Sequence, residues 1–218
     1  MSPVSCAGCG APDVALCDGC RRRLVPEVVR VDLPGGLPVV AGLVYEFEVR
    51  GVVLAFKNGG RVRLAETLAP ALAAALESCA RHATTDGGPA GDGSSVDASL
   101  LVVPVPASRR GRRRRGYDPV ELVLRRLGLV AGVPVLVPTV RAGGGQKGRD
   151  RQQRLRGREG SLRATRDLAG SLVVLVDDVV TTGATLLEAR RAVEARGGLV
   201  VGAACLAATP LRSATGRS

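Results

Sequence analysis

Two adjacent carboxylates, Asp177 and Asp178, follow the apolar run Val173-Val174-Leu175-Val176 and precede Val179-Val180-Thr181-Thr182-Gly183-Ala184-Thr185. Neighbouring acids repel, so cations or hydroxyl donors must offset that repulsion where they stand together. The apolar run reads as a central strand, and the carboxyl end of such a strand is where open α/β sheets take ligands. Beyond it, three threonine hydroxyls and successive backbone N–H groups lead into a helix, which makes a cradle for phosphate helped by the helix dipole. Gly183 permits the close backbone approach that a phosphate loop requires. A strand whose polar end merely caps the next helix is the plainer reading, and a single Asp-x-x-Thr would satisfy it. The full run from 173 to 185 instead suits the two ends of a ribose phosphate.

A second group is Val103-Pro104-Val105-Pro106-Ala107-Ser108-Arg109, followed by Arg115-Gly116-Tyr117-Asp118. Proline after a buried strand holds the preceding residue extended. Arg109 and Arg115 can then grip a diphosphate through planar, multiply donating guanidinium groups. For Arg112, Arg113 and Arg114 a solvated basic loop is an equal alternative.

The third group is Cys6, Cys9, Cys17 and Cys20, spaced C-x2-C-x7-C-x2-C. Two such knuckles match a tetrahedral structural zinc site in which cysteine fills every position and none stays open for catalysis. Redox chemistry and a chance cluster are the other readings. Cys79 and Cys205 lie in apolar surroundings and read as inert core residues.

The chain of 218 residues carries a formal net charge of +11, and the charge is focused. Residues 109–115 contribute +6 and residues 141–166 contribute +7, which leaves the remainder slightly acidic. Focused charge points to a polyanionic partner. Only Lys57 and Lys147 are lysines, so the preference for arginine is general while its clustering is not. Aromatic content is 2%, so the core must be built from Val, Leu and Ala. That favours a buried parallel sheet under Ala/Leu helices. No apolar run reaches eighteen residues, and no basic region followed by an apolar stretch opens the chain. The expected location is the cytoplasm.

The elements that must position these groups alternate. Residues 39–57 read as a strand and then an amphipathic segment; 64–79 read as a helix that Pro70 bends or ends. Residues 84–97 have almost nothing to bury and read as a flexible insertion. Strands are expected at 100–105, 133–137, 172–176 and 199–207, and helices at 120–127 and 184–196, the last stopped by Gly197-Gly198. Residues 141–158 read as an arginine-rich loop. The pattern indicates an α/β fold with a mostly parallel sheet and flanking helices. The organisation expected is a small module over 1–35, a main domain over 36–208 and a frayed tail over 209–218.

The segment 173–185 resembles the phosphoribosyl-pyrophosphate signature of type I phosphoribosyltransferases. The resemblance implies that Asp177 and Asp178 hold the ribose hydroxyls and that Thr181, Thr182, Gly183, Ala184 and Thr185 hold the 5′-phosphate. Thr181 stands where the purine-salvage branch has a base-assisting Asp, so that branch is not implied. With the cysteine quartet, Tyr45, Arg50, Phe56-Lys57, Pro104-Val105-Pro106 and Arg115-Gly116-Tyr117, the chain is similar to the ComF family of competence-associated proteins. It departs at Asp118-Pro119, where that family has Asn-Gln, and after Arg158, where Asn is replaced by Ser161.

The resemblance implies catalytic roles for Asp177, Asp178 and Arg109, further ligand contacts from Val105 and Arg115, and Mg2+ with phosphoribosyl pyrophosphate. It implies transfer of the phosphoribosyl group to a nitrogenous acceptor whose identity the signature does not describe. Residues 146–158 are expected to fold over the site. The alternative is a non-enzymatic DNA-uptake or nucleic-acid-associated factor on the same fold, with DNA or a competence-machinery protein as its partner. A second copy of the chain is the remaining partner considered.

Overall fold

In the computed structural model, residues 4–85, 100–129, 132–139 and 160–210 are described. Seven strands and six helices occur among them. In chain order they are α1 (Asp18–Arg22), β1 (Val29–Leu33), β2 (Leu37–Val44), α2 (Phe47–Asn58), α3 (Leu64–Thr85), β3 (Leu100–Pro104), α4 (Arg109–Arg115), α5 (Pro119–Arg126), β4 (Leu136–Pro138), β5 (Leu162–Ala164), β6 (Leu172–Val180), α6 (Ala184–Glu194) and β7 (Leu199–Ala208).

The main sheet has the order β1-β2-β7-β6-β3. Its four inner and far strands run parallel, and β1 alone is antiparallel, returning beside β2. Alternation along each strand feeds two separate cores, because successive side chains point to opposite faces. Val174 and Val176 join Val52, Phe56, Leu68, Leu72, Val123 and Leu124, which belong to α2, α3 and α5. Val173 and Leu175 join Leu186, Ala189 and Val193 of α6 with Leu136 and Leu162. With helices on both faces, the carboxyl ends of the parallel strands are left open to ligand.

Several expectations change in the folded chain. Strand β6 continues beyond Val176 to Val180, so both acids lie inside it. Asp177 stands opposite Cys205 and Val179 opposite Ala207, and the backbone ladder is indifferent to the polarity of the side chains it carries. The strand expected at 133–137 is instead the three-residue β4, which pairs antiparallel with β5 in a separate ribbon. Helix α3 runs unbroken through Pro70. Pro70 lies on the exposed side, where water can take the carbonyl it leaves unpaired, while Leu68, Ala71, Leu72 and Ala75 remain buried. The division placed at residue 35 falls at the tip of the β1–β2 hairpin, so residues 29–33 add a strand to the main sheet. The insertion expected at 84–97 begins at the end of α3; its residues from 86 onward, the loop at 141–158 and the tail beyond 210 lie outside the described residues. Among the described residues, no helix is long and apolar enough to cross a membrane.

Candidate binding cleft and cysteine centre

Strands β3 and β6 run in register, with Pro104 opposite Val176. The Val105 N–H then donates to the Val176 carbonyl at 2.8 Å, carrying the proline turn past the end of β3 and alongside the acids. Asp118 fixes the far side of that turn. Its Oδ2 accepts from the Ala107 N–H at 3.0 Å, and its Oδ1 accepts from Val120 N–H at 3.1 Å and from Glu121 N–H at 3.5 Å as the N-cap of α5. The carboxylate is buried and fully engaged with backbone, as a helix cap requires. The departure noted at 118–119 therefore has a structural role: the side chain ties the proline turn to α5.

The acids are held by their own backbone. Asp177 Oδ1 accepts from Asp178 N–H at 2.8 Å, and Asp178 Oδ1 accepts from Val179 N–H at 2.7 Å. The cation that their proximity demands is Lys57, whose Nζ lies 2.7 Å from Asp178 Oδ2. Lys57 comes from the last turn of α2, which two contacts hold against the arginine segment. Tyr117 Oη donates to the Phe56 carbonyl, and Arg114 Nη2 donates to Asn58 Oδ1 at 2.7 Å. In the sequence, Lys57 stands out only within the Phe56-Lys57 pair and as one of two lysines. Its signal was chemical: a chain with 31 basic residues uses lysine twice, and one of the two meets an acid of the site.

After β6, Gly183 adopts φ 72° and opens α6. A Cβ there would lie 2.3 Å from Leu33 Cδ1, so the position requires glycine for its conformation and for its contact with β1. The Ala184 N–H donates to Thr182 Oγ1 at 3.5 Å.

A cleft of about 620 Å³ joins these parts. Asp177, Asp178, Thr181, Thr185, Val105 and Arg115 line it together with Lys57, Tyr45, Ser108 and Glu188. Thr182, Gly183 and Ala184 form the turn beside it and are not in its wall. Arg109 is the first residue of α4, and its side chain lies outside what is described. Val105 has already given its N–H to the sheet, so that donor is taken and the residue contributes an apolar stretch of the wall. Arg115 Nε is buried without a hydrogen-bond partner among the described residues. A buried donor left unpaired in a cleft wall suits an anionic ligand.

Glu188 was not singled out in the sequence. It is buried in α6, accepts from the Leu162 N–H at 2.9 Å and pairs with Arg191 at 2.8 and 2.9 Å. Arg191 in turn donates to the Leu162 carbonyl at 3.0 Å. Burial opposes ionisation, but the Arg191 bond and the backbone donors Leu162 and Gly160 prevail and hold the carboxyl below its ordinary value. The pair thus anchors β5, and Thr139, bonded through its N–H to Ser161 and through Oγ1 to Gly160, closes the ribbon beside the cleft. Cys205, opposite Asp177, is fully buried; burial and the two carboxylates push its thiol well above the ordinary range, which removes it as a nucleophile.

The cysteine quartet forms a second, separate centre. All four Sγ atoms lie within 4.8 Å of one another, and Cys6–Cys17 and Cys9–Cys17 are each 3.7 Å apart. A tetrahedron with metal–sulfur bonds of about 2.3 Å has edges of roughly 3.8 Å, so the donor set fits zinc. The Cys17 N–H donates to Cys6 Sγ at 3.4 Å. Burial opposes the thiolate at Cys6, yet the backbone donors Cys17, Cys9 and Gly8 bring its pKa down to about 6. Cys20 moves the other way, raised first by burial and then by its sulfur neighbours. Crowded thiols cannot all ionise until a cation joins them, and a bound metal inverts that order. The module packs closely on α2: a Cβ on Gly51 would lie 2.7 Å from the Gly8 carbonyl oxygen.

Among solved structures, the chain is similar to the orotate phosphoribosyltransferase of Mycobacterium tuberculosis H37Rv, determined in complex with Fe(III) dicitrate. The identity is 20%, with a TM-score of 0.33 and coverage of 85% of this chain and 79% of that one. Residues 113–214 match the phosphoribosyl transferase domain family, a stretch that includes α5, the β4–β5 ribbon, β6 with its paired acids, the threonine turn and β7.

Proposed function

We propose that the protein binds phosphoribosyl pyrophosphate with Mg2+ and transfers its phosphoribosyl group to a nitrogenous acceptor. The observation that supports this reading most strongly is the meeting of Asp177 and Asp178 with Thr181, Thr185, Arg115 and a lysine in one cleft at the carboxyl end of β6. In this reading the two carboxylates accept hydrogen bonds from the ribose hydroxyls. The turn 181–185 holds the 5′-phosphate through its N–H groups and hydroxyls. Arg115 and Arg109 face the diphosphate.

The acceptor nitrogen gives its lone pair to the anomeric carbon as the bond from that carbon to the diphosphate oxygen breaks, and the bonding pair leaves with diphosphate. A proton released by the acceptor passes to the departing diphosphate. The developing positive charge on the ribose is met by fixed carboxylates, which is electrostatic stabilisation in a preformed site. Asp177 and Asp178 offer hard oxygen donors that would suit Mg2+, which would supply positive charge to offset that of the diphosphate.

The cysteine centre holds a structural zinc ion in this reading, and the location is cytoplasmic. Membership of the ComF family belongs to the same proposal. Calorimetric titration with phosphoribosyl pyrophosphate and Mg2+, followed by a diphosphate-release screen over nitrogenous acceptors, tests it. Absence of any binding by the intact protein rejects it.

A second reading is favoured by one observation, the exposure of Arg112, Arg113 and Arg114 along α4. They suit a polyanion such as DNA, bound through phosphates with a steep salt dependence. Replacing all three with Ala then weakens DNA binding and flattens its salt slope, and undetectable DNA affinity at low salt rejects the reading.

A further inference from the structure

Lys57 is bonded to Asp178, but its place in the cleft asks more of it than neutralising one acid. It lies 121 positions from Asp178 in sequence and reaches it from α2, an element on one face of the sheet. The end of α2 is clamped by Tyr117 and Arg114, residues that flank Arg115, so lysine and arginine are positioned by one assembly. Both line the same cleft, and Arg115 brings a buried, unpartnered donor. Asp178, meanwhile, is 16% exposed at its side chain and Lys57 25%, so the pair is reachable from the cleft.

A ligand that offers hydroxyls or a divalent cation to Asp178 competes directly with the ammonium. Lysine is suited to that exchange. Its charge is a compact point on a flexible stem that can turn to a new partner, where a guanidinium fork would hold the carboxylate bidentately.

We propose that Lys57 is an anion-binding residue of the cleft, its ammonium passing from Asp178 to the diphosphate of an incoming ligand. The ion pair then masks Asp178 before binding and supplies a cation for the diphosphate afterwards. This deepens the reading above and rests on it for the ligand's identity. The anion site itself stands on Lys57 and Arg115.

The experiment uses the intact protein and inorganic diphosphate as the probe. With two lysines in the chain, ¹³C-labelling of lysine gives two side-chain signals at the carbon next to nitrogen, and Lys57→Gln identifies one of them. Addition of diphosphate is expected to shift the Lys57 signal, the one that Lys57→Gln removes. In calorimetry, Lys57→Gln is expected to weaken diphosphate by about tenfold or more, as loss of a hydrogen bond to a charged group implies. Lys57→Arg, which keeps the charge but can hold Asp178 bidentately, is expected to recover only part of the affinity. Ribose 5-phosphate, which lacks the diphosphate, is expected to bind Lys57→Gln no more weakly than the wild type, because its carboxylate partner is unmasked.

Equal diphosphate affinity in Lys57→Gln and wild type overturns the proposal, as does an unmoved Lys57 signal or a wild type that binds no diphosphate. A parallel loss of diphosphate and ribose 5-phosphate with a lowered melting temperature also overturns it, since that is the mark of a structural ion pair. Should diphosphate bind through Lys57 while ribose 5-phosphate and phosphoribosyl pyrophosphate do not bind, the anion site stands and the phosphoribosyl reading falls.

Discussion

The cysteine centre and the acidic cleft are both clusters of ionisable groups, yet they are assembled in opposite ways. Four sulfurs converge from fifteen consecutive residues, because two short knuckles suffice to bring Cys6, Cys9, Cys17 and Cys20 within 4.8 Å. The cleft draws its groups from α2, the turn after β3, the end of α4, β6, α6 and the ribbon. A closed set of four thiolates would saturate one ion and leave no group for chemistry. The cleft keeps a carboxylate pair and a lysine along its wall, with a buried, unpaired guanidinium nitrogen of Arg115 beside them. Local spacing thus suffices for a structural centre, whereas a binding site needs the sheet to bring distant segments together.

The comparison also has a limit. Although its ligands are local, the cysteine module is not an independent body: Cys6, Leu16, Cys20 and Leu24 belong to the same buried cluster as Val52, Phe56 and Leu68. The largest expected effect follows from this. Cys20→Ser, or removal of metal by a chelator, should lower stability by more than about 4 kcal/mol and melt the α2 face along with the module. Metal analysis with thermal melting measures it, and a normal melting temperature in metal-free protein would separate the module from the core after all.

Next in size is the turn between β6 and α6. Gly183→Ala places a Cβ against Leu33 at a positive φ, and a cost of about 2–4 kcal/mol is expected from strain and overpacking together. Adding Leu33→Ala should relieve part of that cost through the shared contact, giving a non-zero coupling in a double-mutant cycle by chemical denaturation.

The functional half of the comparison rests on Asp178→Asn. It should weaken phosphoribosyl pyrophosphate by about 1.5–3 kcal/mol, roughly tenfold to a hundredfold, with little change in melting temperature. Thr182→Val should reduce affinity for ribose 5-phosphate as well. Titration of each variant beside a melting curve checks both; stability losses without selective loss of ligand would return the acids to a purely structural role.

A smaller effect concerns Glu188, whose carboxyl is held below its ordinary value of 4.5. A depressed carboxylate adds stability above the unfolded value, and that contribution is lost as pH falls through the folded one. The stability advantage of wild type over Glu188→Gln should therefore be full near neutrality and shrink as the pH falls below about 4.5. An advantage independent of pH would mean that the ion pair with Arg191 is not its source. Smallest of all, Arg114→Ala removes an exposed bond to Asn58 and should change stability by less than about 0.5 kcal/mol.

Much of this was legible along the chain because it rests on local chemistry. The cysteine spacing, the β6 strand with its acids, the glycine at the start of α6 and the Gly197-Gly198 stop are all contained in short windows. Periodicity likewise marked α5, α6, β3 and β7 to within a few residues. Strand β1, with alternating charge and the apolar positions Val29, Val31 and Leu33, went unread because its pairing with β2 is what makes it a strand. Pro70 signalled a break that burial of the rest of α3 overrides. The three-residue strands β4 and β5 have no periodicity to read and exist through each other and the Glu188–Arg191 anchor.

The sequence alone determined which groups the chain offers: four thiols at metal-ligand spacing, and two carboxylates followed by three threonine hydroxyls. Only the tertiary structure decided which groups share a site. It placed Lys57 on Asp178, turned Asp118 into a backbone clamp and left Arg115 Nε buried without a partner in the cleft wall. The reason is physical: residue type sets a group's charge and hydrogen-bonding capacity, whereas which charge meets which depends on the order of strands in the sheet.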